Sequence, residues 1–234
     1  MTNGAGSPVA QAQGGWYRAL LGWSPRRAGL MGRWQNSAET TQHPLRMIIH
    51  QIGLELRVLS QADAAAVLRE QPQRWSVISI LSAGEERIID LGLARDSVRL
   101  VFDDVLVDDP SRGILGPQAA HAKEIVASAE CFTGRPLLIH CQMGFSRSPA
   151  AAFGVLLMHA RQRKLADPIG FALERLLRLG TFKPNPRLVR LMIEAVAPGE
   201  VHTLQQLLRH PLWRQSFGRD FYSRFLPPAR PDPG

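Results

Sequence analysis

Between about Leu45 and Val196 the apolar residues of this chain follow two rhythms. Short, largely apolar runs have the length of strands: Met47-Ile48-Ile49, Leu56-Arg57-Val58-Leu59, Trp75 to Leu81, Val98-Arg99-Leu100-Val101-Phe102 and Pro136-Leu137-Leu138-Ile139. Other stretches place apolar residues three and four apart, the helical spacing. They predict helices over Asp63–Glu70, Pro117–Phe132, Ala150–His159, Pro168–Leu179 and Leu188–Val196, and a shorter one over Glu85–Leu91. The Pro117–Phe132 stripe is Ala122, Ile125, Val126, Ala129 and Phe132. Gly53 marks a turn, Pro72 helps end the first helix, and Pro184 and Pro186 break the chain before the last. Strands alternating with helices predict an α/β fold: a central, mainly parallel sheet flanked by helices.

Both ends fall outside this pattern, giving an extension over 1–43, a catalytic domain over 44–197 and a helical extension over 198–234. Met1 to Gly15 is rich in Gly, Ala, Ser and Gln, a disordered composition. Trp16 to Trp23 is aromatic and apolar, and Arg26, Arg27 and Arg33 follow it. Residues 16–33 are expected to dock on their own domain, with contact to a membrane surface the lesser alternative. Asn36 to Pro44 reads as linker. In the C-terminal extension Leu204, Leu207, Leu208 and Leu212 share a helical face, and Trp213, Phe217, Phe221 and Phe225 recur at four-residue steps. That stripe is too apolar for water and is expected to cover the core, ahead of a frayed end from Pro227.

Composition narrows the class. A chain of 234 residues with 45% hydrophobic content can bury one sizeable core. Two cysteines, Cys131 and Cys141, exclude a disulfide scaffold, and without C-x-x-C or paired-histidine spacing they supply no zinc site. No cofactor is implied. Met1 to Gly15 lacks the features of a signal peptide, and no apolar run reaches the roughly 18 residues of a spanning helix. The expectation is a cytoplasmic protein. The net charge of +8 favours anionic partners, but the arginines are scattered rather than gathered into an aromatic-interleaved stripe, so nucleic acid is not the expected partner.

One stretch carries chemistry: His140-Cys141-Gln142-Met143-Gly144-Phe145-Ser146-Arg147-Ser148-Pro149. It lies where a buried strand hands over to a helix with Pro149 in its first turn. Backbone N–H groups at such a helix start lack internal partners and form an anion site. A cysteine facing them is held near positive partial charge, which favours its thiolate. Arg147 can grip two phosphate oxygens with its planar fork. The amides of Gln142, Met143, Gly144, Phe145 and Ser146 complete the phosphate-binding set, and Gly144 lets the backbone turn where a side chain would obstruct it. Ser148 can donate its hydroxyl to the cysteine sulfur, easing its later departure as a leaving group. His140 is expected to point away from substrate and hydrogen-bond the loop backbone. Cys131 is expected to be a small buried core residue rather than a resolving thiol.

His140-Cys141-x5-Arg147-Ser148 resembles the signature of the cysteine-dependent protein tyrosine phosphatases, and C-Q-M-G-F-S-R-S-P is most similar to the dual-specificity branch. The resemblance covers roughly residues 45–197 and implies a two-step reaction without metal or cofactor. Cys141 attacks phosphorus, Arg147 and loop amides stabilise the transferring group, and water hydrolyses a phosphocysteine intermediate. An aspartate on a separate loop protonates the leaving oxygen and then activates the water. Asp103-Asp104, just past a strand end, is the preferred source of that acid, Asp104 first. Asp108-Asp109 lies nearer the family's usual separation from the cysteine, although Asp109-Pro110-Ser111-Arg112-Gly113 also reads as a plain turn. Arg178 with Pro184-Asn185 resembles a structural segment of the family, Asn185 capping or bracing its turn. The implied substrate is a phosphorylated protein, carrying phosphotyrosine or a mixed set of phosphorylated side chains. Phosphoinositide or inositol-phosphate hydrolysis ranks second, because Gln142, Met143 and Phe145 bring no charge to the loop. RNA triphosphatase activity and a non-catalytic phospho-binding module follow.

Overall fold

A computed structural model of the chain describes residues 47–85 and 89–217. The expectations for residues 1–43, for Phe221, Phe225 and the end from Pro227, and for the middle of the Glu85–Leu91 helix lie outside the described residues.

Five strands, β1 (Met47–Ile49), β2 (Leu54–Ser60), β3 (Ser76–Leu81), β4 (Asp96–Val101) and β5 (Leu137–Cys141), form one sheet in the order β1-β2-β5-β3-β4. The β1–β2 pair is antiparallel, turning through Gly53 at φ +64°, and the other three pairs are parallel. The architecture is thus the expected mainly parallel α/β sheet. β5 lies at its centre, with Leu137, Leu138 and Ile139 buried from both sides, as its unbroken apolar run requires.

Helix α1 (Gln61–Glu70), capped by Ser60 Oγ accepting from Asp63 N, packs with Leu59, Trp75, Val77, Leu81 and Leu138 on one face. The other face carries the larger core, to which α2 (Ala119–Cys131), α3 (Arg147–Gln162), α4 (Pro168–Leu179) and α5 (Pro186–Val196) contribute. Alternation along β5 assigns the faces: Leu137, Ile139 and Cys141 point into the larger core and Leu138 into the smaller. α3 is buried along nearly its whole length. Its Gly154 lies against Met192 of α5, where a Cβ would come within 2.3 Å of the methionine side chain, so close helix packing demands glycine there. Two further helices, α6 (Val201–Arg209) and α7 (Pro211–Phe217), seat Leu207 and Trp213 in the same core.

Details depart from the sequence-based expectations. α2 starts at Ala119 rather than Pro117, with Gln118 and His121 forming reciprocal capping bonds. A short 3-10 turn, Leu91–Leu93, follows the segment expected as a helix from Glu85. Cys131, expected in the core, is exposed. The helical stripe explains this: Ile125, Ala129 and Phe132 point inward, and position 131 falls beside them.

Candidate active site

The parallel register brings the carboxyl ends of β2, β5, β3 and β4 to one edge of the sheet, where ligand sites of open α/β folds collect. Cys141 ends β5 there and is only 2% exposed, at the floor of the loop 142–146 that leads into α3. Gln61 N, at the β2–α1 junction, donates to Gln142 O at 3.1 Å. On the far side Lys183 N donates to Phe145 O at 3.0 Å and Asn185 N to Ser146 O at 3.1 Å. The loop carbonyls are therefore drawn outward. Among the described residues, no hydrogen bond uses the N–H of Met143, Gly144, Phe145, Ser146 or Arg147 as donor. These amides form a nest of unspent donors at a helix start, suited to an oxyanion.

Gly144 makes the curvature possible. Its φ is +69°, and a Cβ there would come within 2.6 Å of Leu59 C and Ser60 N, in backbone that cannot yield.

Arg147 is buried, and its Nη1 donates to Phe102 O at 2.8 Å and to Ser82 Oγ at 3.1 Å. Its Nε is buried with no partner. Two neighbouring strand ends thus hold one side of the guanidinium and leave the Nε side for a ligand. Ser148 Oγ donates to Cys141 Sγ at 3.2 Å, the contact expected from the sequence.

The four candidate acids have different surroundings. Asp104 Oδ1 accepts from Ser146 Oγ and from Asn185 Nδ2, each at 2.8 Å, which places this carboxylate against the loop. Asp103 instead accepts from Leu115 N at 3.0 Å and closes its own loop. Asp108 is held by Arg187 at 2.8 and 3.0 Å, by Gly116 N and by Gln118 Nε2. The Arg187 guanidinium and the Gly116 amide hold its carboxyl well below the usual carboxylate range. Asp109 accepts from Ser111 Oγ at 2.5 Å and begins a 3-10 turn over Pro110–Arg112, the turn role its sequence suggested. Of the four, Asp104 alone is hydrogen-bonded to the cysteine loop.

His140 faces away from Cys141 on β5, opposite Leu59 on β2 and Ser79 on β3. Both ring nitrogens are buried, and the loop group the ring interacts with is the Cys141 backbone. Burial lowers its pKa to about 4; the Cys141 backbone opposes the shift, and Arg99 and Arg147 add to it.

Asn185 was expected only as a cap or brace, and it does cap α5, its Oδ1 accepting from Leu188 N at 2.9 Å. Its second bond, to Asp104, joins the acid to the loop and has no local sequence signal. Ser82 is likewise a site contact the sequence did not mark. Arg178 pairs with Glu174 on the exposed face of α4, a structural role. Among the described residues no group of three or more His, Cys, Asp or Glu could hold a metal ion, and no helix is long and apolar enough to cross a membrane.

No protein-family model matches the chain, and no curated protein does. The chain is similar to several solved structures, among them phosphatases and a tyrosine phosphatase-like serine/threonine/tyrosine-interacting protein. Human DUSP28 aligns over 72% of this chain and 99% of its own, at 21% identity and a TM-score of 0.43. The Yvh1 phosphatase domain from Chaetomium thermophilum aligns over 63% of this chain and 92% of its own, at 20% identity and a TM-score of 0.42. OH1 from the Orf virus, a tyrosine phosphatase, aligns over 71% of this chain and 95% of its own, at 17% identity and a TM-score of 0.43. At these identities and TM-scores the likeness decides nothing about the chemistry, which rests on the side chains described above.

Proposed function

We propose that this protein hydrolyses phosphate monoesters through a phosphocysteine intermediate, with phosphotyrosine on a protein as the leading substrate. The observation that supports this most is the nest of unspent amides from Met143 to Arg147, joined by the unpartnered Nε of Arg147, in the loop that follows Cys141. Such a nest offers converging donors to the equatorial oxygens of a transferring phosphoryl group. Cys141 Sγ forms a bond to phosphorus as the bond to the leaving oxygen breaks, and that oxygen takes a proton from Asp104. Asp104 Oδ1 is occupied by Ser146 and Asn185, so Oδ2 is the oxygen left to carry the proton. In the second step water attacks phosphorus, Asp104 takes the water proton, and sulfur departs. Ser148 donates to that sulfur and steadies it as it leaves.

Purified full-length chain should hydrolyse an aryl phosphate, and Cys141→Ser should abolish turnover while still binding the oxyanion. Undiminished turnover by Cys141→Ser would reject covalent catalysis by this residue.

A further inference from the structure

The acid loop, residues 103–118 between β4 and α2, has little apolar packing of its own. None of residues 103–115 is buried, and Val107 and Leu115 stand open to solvent. Polar bonds fold the loop instead. Asp103 N donates to Leu115 O at 2.7 Å, and Asp109 and Ile114 exchange backbone bonds at 2.8 and 3.0 Å. Arg187, in the first turn of α5, reaches across with three bonds. Its two Nη atoms grip the Asp108 carboxylate at 2.8 and 3.0 Å, and Nη1 also donates to Leu106 O at 3.3 Å. The loop closes tightly round this guanidinium, since a Cβ on Gly116 would come within 3.0 Å of Arg187 Nη1. The helix behind it is firmly seated: Leu188, Val189, Met192 and Ile193 are buried in the larger core.

We infer that Arg187 is a positioning residue for the general acid: by clamping Leu106 and Asp108 onto α5 it holds Asp104 ready before substrate arrives, so proton delivery needs no closure of the loop. This rests on the phosphatase reading above and adds to it a residue outside the cradle. Asn185, two residues before Arg187, holds Asp104 Oδ1. One helix start thus fixes the acid loop at residues 104, 106 and 108. A guanidinium fork suits this task, because two parallel bonds set the direction of the Asp108 carboxylate as well as its distance. Without the clamp, a loop with so few buried contacts opens at little cost. A displacement of about 1 Å at the acid is enough to slow the reaction roughly a hundredfold. Arg187 is not a second phosphate ligand: its Nη atoms are spent on the loop, and its side chain is only 17% exposed. Asp108→Asn keeps an Oδ1 acceptor for Arg187 and for Gly116 N, so the substitution that frees the loop is Arg187→Met.

The test compares kcat/KM for p-nitrophenyl phosphate and phenyl phosphate, using the full chain. Phenol is the poorer leaving group, so its ester depends more on the acid. In Arg187→Met the ratio of the two should shift roughly tenfold toward p-nitrophenyl phosphate. Arg187→Lys, which keeps the charge but not the fork, should shift it less. In an Asp104→Asn background Arg187→Met should not move the ratio, since the group it positions is gone. A measurement on the wild type covers a variant that fails to fold. Exchange of the Asp109, Ile114, Leu115 and Gly116 amides should slow by less than about threefold when vanadate binds, as a loop already clamped requires. A ratio unmoved in folded Arg187→Met, the same shift with Asp104 replaced, or greater slowing of those amides overturns the clamp and leaves the phosphatase reading intact. A wild type that hydrolyses neither ester removes the phosphatase reading, and the clamp with it.

Discussion

Asn185 Nδ2 donates to Asp104 Oδ1 at 2.8 Å while Asn185 Oδ1 caps the first turn of α5 at Leu188 N. One side chain therefore ties the candidate acid to a helix whose position is fixed by the core. Its backbone N–H also holds Ser146 O, so the acid loop and the cysteine loop share an anchor.

Loss of that anchor should show in kcat. Asn185→Ala should lower kcat several-fold with little change in KM, and cost about 1 kcal/mol of stability through the lost cap. Asn185→Asp keeps a capping oxygen but sets a carboxylate against Asp104. It should hold the wild-type melting temperature more closely while lowering kcat further. Equal kcat in the two variants, or a fall explained wholly by stability, would reduce Asn185 to a cap.

Asp104→Asn should lower kcat by roughly 10²–10⁴ on a substrate with a poor, alkyl-type leaving group, and much less on a good aryl leaving group that needs no proton. It should also remove the basic limb of the pH–rate profile. Asp108→Asn breaks the pair with Arg187 and should act chiefly on thermal stability. If the kinetic effects of the two substitutions are exchanged, the acid is Asp108.

Gly144→Ala should inactivate the protein. The new Cβ would meet the Leu59–Ser60 backbone at 2.6 Å, in a left-handed conformation that alone costs about 1–2 kcal/mol for a non-glycine residue. The expected result is lost vanadate binding together with a lowered unfolding midpoint. Retained vanadate affinity would show that the loop can rebuild around a side chain.

His140 makes stability depend on pH. Its folded pKa is lowered to about 4, below the ordinary 6.5, so the folded protein resists a proton that the unfolded chain accepts. The contribution is full above pH 6.5 and is lost as pH falls toward 4. Between pH 7 and pH 5 this group should cost about 2 kcal/mol. His121 and His159 are shifted in the same direction, chiefly by burial, and add to the slope. Urea unfolding at the two pH values should show the loss, and His140→Asn should reduce it. An unchanged slope in that variant would assign the effect to the other histidines.

The central strands β3 and β5 were legible because they are buried on both faces, which forces continuous apolar runs such as Leu137-Leu138-Ile139. The cradle was legible because its chemistry is local: cysteine, glycine and arginine must sit within one turn of chain. The acid was not equally legible. Asp103, Asp104, Asp108 and Asp109 share one loop, and what separates them is the partner each finds. Asp108 is claimed by Arg187, 79 residues away, and Asp104 by Asn185, 81 away. No spacing within the loop encodes those distances. Ser82 was missed for the same reason: it meets Arg147 across 65 residues, through the parallel register of β3 and β5. Cys131 was legible and misjudged, since the spacing of Ala122, Ile125, Ala129 and Phe132 already turns position 131 outward.

Covalent capture on Cys141 tests the central claim most directly. An acid quench during turnover of an aryl phosphate, followed by peptide mass analysis, should find the added mass of a phosphoryl group on the peptide containing Cys141, and none in Cys141→Ser. Steady turnover with that peptide unmodified at every quench time, or the phosphoryl mass on another residue, would contradict the account.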